Sequence, residues 1–200
     1  MSKANNFQKM RELSFYQQAA VAIVLLERML PNYQLFAEVS SFGDAAQPRH
    51  TLDLVWEWLQ VRRAKINFER LQDELELITP EVSHFDMFGV YPAVDAMIAL
   101  DSMLNGIREQ DSMEFINVAK ISQASVARLI EHESADLDIT TEAELKKVVR
   151  EHDLMAYEMD CLAELIEICG AIQSFDREQI QQLKAWVKEQ GVTNLGMELS

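Results

Sequence analysis

The sequence predicts an all-α fold: a single-domain bundle of about seven to eight helices, mostly up-and-down, ending in an irregular C-terminal tail. Three observations carry this. Apolar residues recur at spacings of three and four, while the alternation of a half-buried strand is nearly absent. Capping signatures, a Ser, Asp or Thr followed three residues later by Gln or Glu, open several of the periodic stretches. Glycine is scarce, six in 200 residues, and stands in loops (Gly43, Gly89) or near helix ends (Gly106, Gly170, Gly191).

The first substantial helix is expected from Ser14, which forms a capping box with Gln17, to Leu30. Its run Ala19–Leu26 has no polar face, so this is the central helix of the core. Pro31 stops it or opens a short helix to Ser40, and Phe42-Gly43-Asp44 reads as a loop. Pro48 to Val61 is the next helix, with Leu52, Val55, Trp56 and Leu59 at apolar spacing. Phe68, Leu71, Leu75 and Ile78 mark one face of another, and Thr79-Pro80-Glu81 a short helical turn.

The stretch Phe85–Ala96 places a flexible glycine, Gly89, and a helix-starting proline, Pro92, before an apolar helix. From Val90 to Leu100 only Asp95 interrupts the apolar character. Asp111 and Glu114 cap a further helix to about Ile130. Thr141 and Glu144 open the longest periodic stretch, in which Leu145, Val148, His152, Met155, Met159, Leu162, Ile166 and Cys169 form one seam. Such a seam needs a close partner helix, within the bundle or across a homodimer interface. Asp176 and Gln179 start a last helix, Arg177–Gln190, with Ile180, Leu183 and Val187 inward. The tail from Val192 is irregular and packs back through Leu195 and Met197.

Composition narrows the function. A chain of 200 residues buries roughly 70% of its unfolded surface and needs no disulfide or metal to fold. No targeting segment is expected, and the longest apolar run, Ala19–Leu26, is far short of the ~20 residues of a membrane span. Cys161 and Cys169 lie about 12 Å apart along one helix, too far to pair; both read as buried hydrophobes of a reducing cytoplasm. Thirty-three acids against 18 bases give a net charge of −15, which disfavours nucleic-acid binding. The acidic run Leu129–Leu145 reads as a solvated loop between helices, or as a docking surface for a basic partner.

Several strings then act together: Glu27-Arg28-Met29-Leu30-Pro31-Asn32-Tyr33, Phe42-Gly43-Asp44, Leu52-Asp53-Leu54-Val55-Trp56-Glu57, Lys65-Ile66-Asn67-Phe68, Gly89-Val90-Tyr91-Pro92-Ala93-Val94-Asp95-Ala96 and Asn194-x-Gly196. In this order the chain resembles the YjaG-like family, a bacterial domain of unknown function. The resemblance implies an all-helical cytoplasmic protein and supplies no catalytic residues. Glu133–Thr141 departs from the family pattern.

No motif commits the chain to a reaction. Glu81-x-x-His84 has the ligand spacing of di-iron bundles but occurs once, so no metal or cofactor is implied. His50, Asp53 and Glu57 share a helix face and read as a polar surface stripe. His152 reads as a hydrogen-bonded core residue. Asp95 reads as a structural anchor, favoured by the helix dipole after Pro92 or by pairing with Arg28 or Lys65. The leading expectation is a non-catalytic acidic module that binds a protein partner, a basic one by charge. The alternative is an enzyme or small-ligand binder with a polar pocket between helices. Its candidate residues are Glu27, Arg28, Asn32, Asp53, Glu57, Asp86, Tyr91 and Asp95.

Overall fold

Helix α2 (Phe15–Ser40) runs through the middle of the molecule, with Ala19–Leu26 at no more than 1% exposure. The computed structural model describes residues 5–61, 63–135, 139 and 141–199. Around α2 stand α1 (Asn6–Arg11), α3 (Ala46–Gln60), α4 (Phe68–Ile78), α5 (Val90–Glu109), α6 (Ser112–Glu133), α7 (Glu142–Glu151), α8 (Asp153–Ala171) and α9 (Arg177–Gln190). A 3₁₀ turn, Val82–His84, precedes α5. Among the described residues there is no strand, only an isolated antiparallel bridge between Val192 and Glu198. The helix α2 packs on α3, α5, α6, α8 and α9, and α5 lies along α6.

The caps are those the sequence announces. Gln17 Oε1 accepts from the Ser14 N–H at 2.9 Å, Asp111 accepts from Met113, Thr141 and Glu144 form a reciprocal box, and Asp176 accepts from Glu178 and Gln179.

Three expectations are corrected. Pro31 neither ends nor starts a helix but lies inside α2. It forgoes the one bond from its missing N–H, while buried Arg28, Met29, Asn32, Tyr33 and Phe36 on both sides hold the helix together. The helix α5 starts at Val90, so Pro92 is its third residue, still among the positions with no intrahelical acceptor. The long seam is two helices. The chain turns at His152 (φ −74°, ψ 136°), whose Nδ1 accepts from the Leu154 N–H at 3.1 Å. Within α8 the buried face is Met155, Glu158, Cys161, Leu162, Leu165, Ile166 and Cys169, whereas Met159 is 45% exposed.

The main core joins α1–α6, α8 and α9. A smaller cluster of Val126, Ile130 and Met155 is covered by Val148, Val149, Leu154 and Leu195. Leu195 therefore packs back as expected. The middle of the acidic run, 136–138 and 140, lies outside the described residues.

Candidate functional site

The eight candidate residues do not share one pocket; they fall into separate groups. Glu27 sits between α2 and α3, where Arg49 grips it through two nitrogens at 2.6 and 2.9 Å and Trp56 Nε1 donates at 2.6 Å. Asp53 takes the same Arg49 at 2.7 Å from the exposed side. Burial works against the charge on Arg49, and the bonds and charges of Glu27 and Asp53 outweigh it, raising its pKa above the ordinary value. Glu57 and Asp86 are exposed and belong to neither group described next.

Arg28 and Asn32, one turn apart on α2, face a fully buried polar cluster. Arg28 Nη1 donates to Glu158 at 2.6 Å, Nη2 reaches the Thr193 carbonyl at 3.4 Å, and the guanidinium stands 5.5 Å from the Tyr157 ring. The other Glu158 oxygen accepts from Ser122 Oγ at 2.5 Å. Asn194 Nδ2 donates to Ser122, and Asn194 Oδ1 accepts from Asn32 Nδ2 at 2.8 Å. Four elements, α2, α6, α8 and the tail, are thus tied at one buried point. A pair so dry is costly to assemble and costlier to break, so its evident product is position.

Tyr91 and Asp95 form a third group with Arg128 of α6. Arg128 Nη1 contacts both Asp95 oxygens at 3.1 and 3.0 Å and its guanidinium lies 5.4 Å from the Tyr91 ring. Arg128, not Arg28 or Lys65, is the partner of Asp95. The acid also lies beyond the first turn of α5, so the helix dipole does not account for it. Burial pushes its carboxyl above the ordinary carboxylate value, against the pull of Arg128 and a Ser125 hydrogen bond.

The cysteines are poor nucleophiles. Burial pushes the Cys169 thiol up to about 12 and raises that of Cys161. Tyr157, beside Cys161, donates to Gln190 at 2.6 Å, and burial pushes its hydroxyl to about 12. Glu81 and His84 meet at 3.5 Å on the surface, and among the described residues no group of three or more such side chains could hold a metal.

Of several surface depressions of similar size, one is distinguished by an apolar lining. A groove of about 400 Å³ lies between the C-terminal half of α2, the start of α5, the end of α6 and the tail. Leu35, Phe36, Val39, Met87, Phe88, Pro92, Leu129, Leu195 and Met197 line it, with Asn32 and Glu133 as its polar members. Leu35 (48%), Val39 (64%) and Met87 (37%) are large apolar side chains left in water there. Phe88 stacks on His132 at 4.2 Å between centroids and leans on Tyr91 at 5.8 Å, so the Tyr91 group adjoins the groove. The tail forms one wall because Asn194 is locked to Asn32 and Ser122, and Thr193 pairs with Met197 at 2.8 Å. The size is that of an ordinary ligand pocket.

Sequence reasoning missed Glu158, Ser122, Arg128 and the groove. For Glu158 a signal existed: it stands three residues after Met155 and four before Leu162, on their face of the helix. For the groove, Leu35 and Val39 at i, i+4 were legible as an apolar pair; nothing local said it would stay uncovered.

Comparison with known proteins places the chain. Residues 5–198 match the family model described as "Protein of unknown function (DUF416)". The uncharacterised protein YjaG of Escherichia coli K12 is 33% identical over 190 residues, 94% of each chain. An uncharacterised protein of Haemophilus influenzae Rd is 31% identical over 192 residues, 95% of each. The crystal structure of a DUF416 family protein from Shewanella baltica OS155 superposes with a TM-score of 0.90 at 36% identity, covering 98% of this chain and 100% of that one. The chain belongs to the DUF416 family, whose members named here carry no stated activity.

Proposed function

We propose that this member of the DUF416 family works by recognition rather than catalysis, as a cytoplasmic acidic module whose apolar groove receives part of a protein partner. The observation that supports it is the gathering of Leu35, Val39 and Met87, all water-exposed, on a single preformed groove. Isolated exposed apolar residues need no explanation; a contiguous set on a concave surface marks a contact site.

Charge suggests the partner's character. Glu133 lines the groove, exposed Asp86 precedes Met87, and Glu38 and Glu198 flank the adjoining depression that shares Leu35 and Met197. With a net charge of −15 behind them, these acids favour a segment that is apolar at its centre and basic at its flanks. The unpaired buried cysteines suit a reducing compartment, and among the described residues no helix is long and apolar enough to cross a membrane.

The test is site-specific photocrosslinking in the native cell, with the reactive side chain at Val39 and, as control, at Leu77, 82% exposed on α4. A discrete adduct is expected at Val39 and not at Leu77, lost on adding Leu35→Glu and weakened by salt. Equal adducts at both positions, or none at Val39, overturn the proposal.

A further inference from the structure

A groove with acids at its rim suits a segment that is apolar at its centre and basic beside it, and the chain itself carries one. Of the large apolar side chains exposed among the described residues, Val61 alone has a lysine or arginine within four positions in sequence. From Trp58 to Phe68 there is no acid. Val61 is 46% exposed, and Arg63 and Lys65 are exposed beside it. Neither base is paired with an acid among the described residues. The backbone sets them on a turn: the Val61 N–H donates to the Glu57 carbonyl at 2.7 Å, and the Ala64 N–H to the Val61 carbonyl at 2.9 Å. A segment already turned loses little freedom on docking. The other basic stretch, Lys146–Arg150, does not qualify. Its Val148 and Val149 cover the smaller core cluster, and Lys146 and Arg150 pair with Glu142 and Glu151.

The groove is the complement of this turn. No lysine or arginine lines it or the adjoining depression. Its neighbouring acids, Glu38, Asp86, Glu133 and Glu198, are exposed and have no basic partner among the described residues. A chain cannot fill its own groove with this turn. Ala45, just before α3, borders the depression that shares Leu35 and Met197 with the groove, whereas Val61 follows the far end of that 15-residue helix, about 22 Å away. Resting on the reading of the groove as the partner site, we infer that its occupant is a second copy of this chain. Val61 of one copy enters against Leu35, Val39 and Met87 of the other, and Arg63 and Lys65 meet the rim acids. Two bodies of charge −15 repel at long range, so a contact between copies must bring opposite signs together locally, as this one does. One small apolar side chain and a few exposed ion pairs make the contact weak and reversible.

The experiment is sedimentation velocity of the purified full-length protein over a wide concentration range. The salt is about 0.15 M, where a Debye length of about 8 Å screens the overall repulsion and spares charges in contact. Mass is expected to rise with concentration. Arg63→Glu with Lys65→Glu should weaken self-association at least about tenfold, and so should Glu38→Lys with Glu133→Lys. All four positions are exposed, so both variants should fold as the wild type does. An equimolar mixture of the two should associate again, because the reversed groove of one accepts the reversed turn of the other. The photoreactive side chain at Val39 should crosslink the purified protein to a second copy at the connection between α3 and α4. Self-association that neither variant weakens overturns the inference, since the copies then meet elsewhere. A monomer at every concentration, with Val39 in the cell crosslinked to a different protein, also overturns it and leaves the groove a partner site. No adduct at Val39 in either setting removes the proposed function itself.

Discussion

Arg28 and Glu158 lie 130 residues apart in sequence and meet at 2.6 Å, their side chains 0% and 1% exposed. Because Glu158 also orients Ser122, and through it Asn194 and Asn32, this pair sets the tail against α2 and so shapes the groove. Glu158→Ala leaves the guanidinium buried and alone, a loss of about 3–5 kcal/mol. For a chain of this length that is a fall in Tm of roughly 6–20 °C. Thermal unfolding by circular dichroism checks it, and a shift of a degree or two would contradict the role given to the pair.

Asp95 should influence stability in the sense opposite to a typical paired carboxylate. Its pKa is raised by burial, so the folded state holds the proton more tightly than the unfolded chain does. Stability due to this group is therefore present at low pH and lost as pH rises from the ordinary carboxylate value through the raised one. Asp95→Asn cannot ionise and escapes that loss. Its pair with Arg128, 41% exposed, offsets at most about 1 kcal/mol. Urea unfolding from about pH 4 to 7 should show the variant gaining on the wild type as pH rises, then a plateau. A variant that gains toward acid instead would contradict this.

Two glycines should respond in opposite directions. Gly89 has an ordinary helical backbone (φ −55°, ψ −17°), and a Cβ there meets nothing within 4 Å. The flexibility read into it from the sequence is not used, and Gly89→Ala should stabilise by about 0.4–1 kcal/mol. At Gly106 a Cβ would come within 2.5 and 2.9 Å of the Phe115 ring. Gly106→Ala should destabilise, overpacking of about 1–3 kcal/mol outweighing the helix-propensity gain. Chemical denaturation midpoints of the two variants decide it.

Met155 and Met159, one turn apart on α8, should separate an internal seam from an interface. Met155 is 8% exposed and Met159 45%. Met155→Glu should unfold the protein or lower its Tm steeply, whereas Met159→Glu should fold normally with unchanged mass by light scattering. A Met159→Glu variant that halves the mass of the wild type would show α8 to be a homodimer surface.

Much of the fold was written locally. The caps at Ser14, Asp111, Thr141 and Asp176 and the apolar run Ala19–Leu26 act within a few residues, and each stands where its spacing puts it. What the sequence hid depends on tertiary contacts. Pro31 marks a break by local rule, and packing on both sides overrides it. Glu158 and Met159 compete for one inward position; hydropathy favours the methionine, and only a buried arginine 130 residues away reverses the choice. Asp95 carries the mark of a paired acid, but its partner Arg128 lies on the next helix, and no periodicity names it. The candidate polar residues scattered because their partners lie apart: Glu27 and Asp53 share Arg49, Arg28 takes Glu158, Asn32 takes Asn194 and Asp95 takes Arg128, while the groove is built of residues unremarkable in isolation.

The most direct test of recognition at the groove is hydrogen–deuterium exchange of the full chain, free and bound to the partner trapped at Val39. New protection should be confined to the end of α2, residues 87–92, the end of α6 and residues 195–197. Protection centred on α4 or α7, with that groove exchanging as in the free protein, would contradict the account.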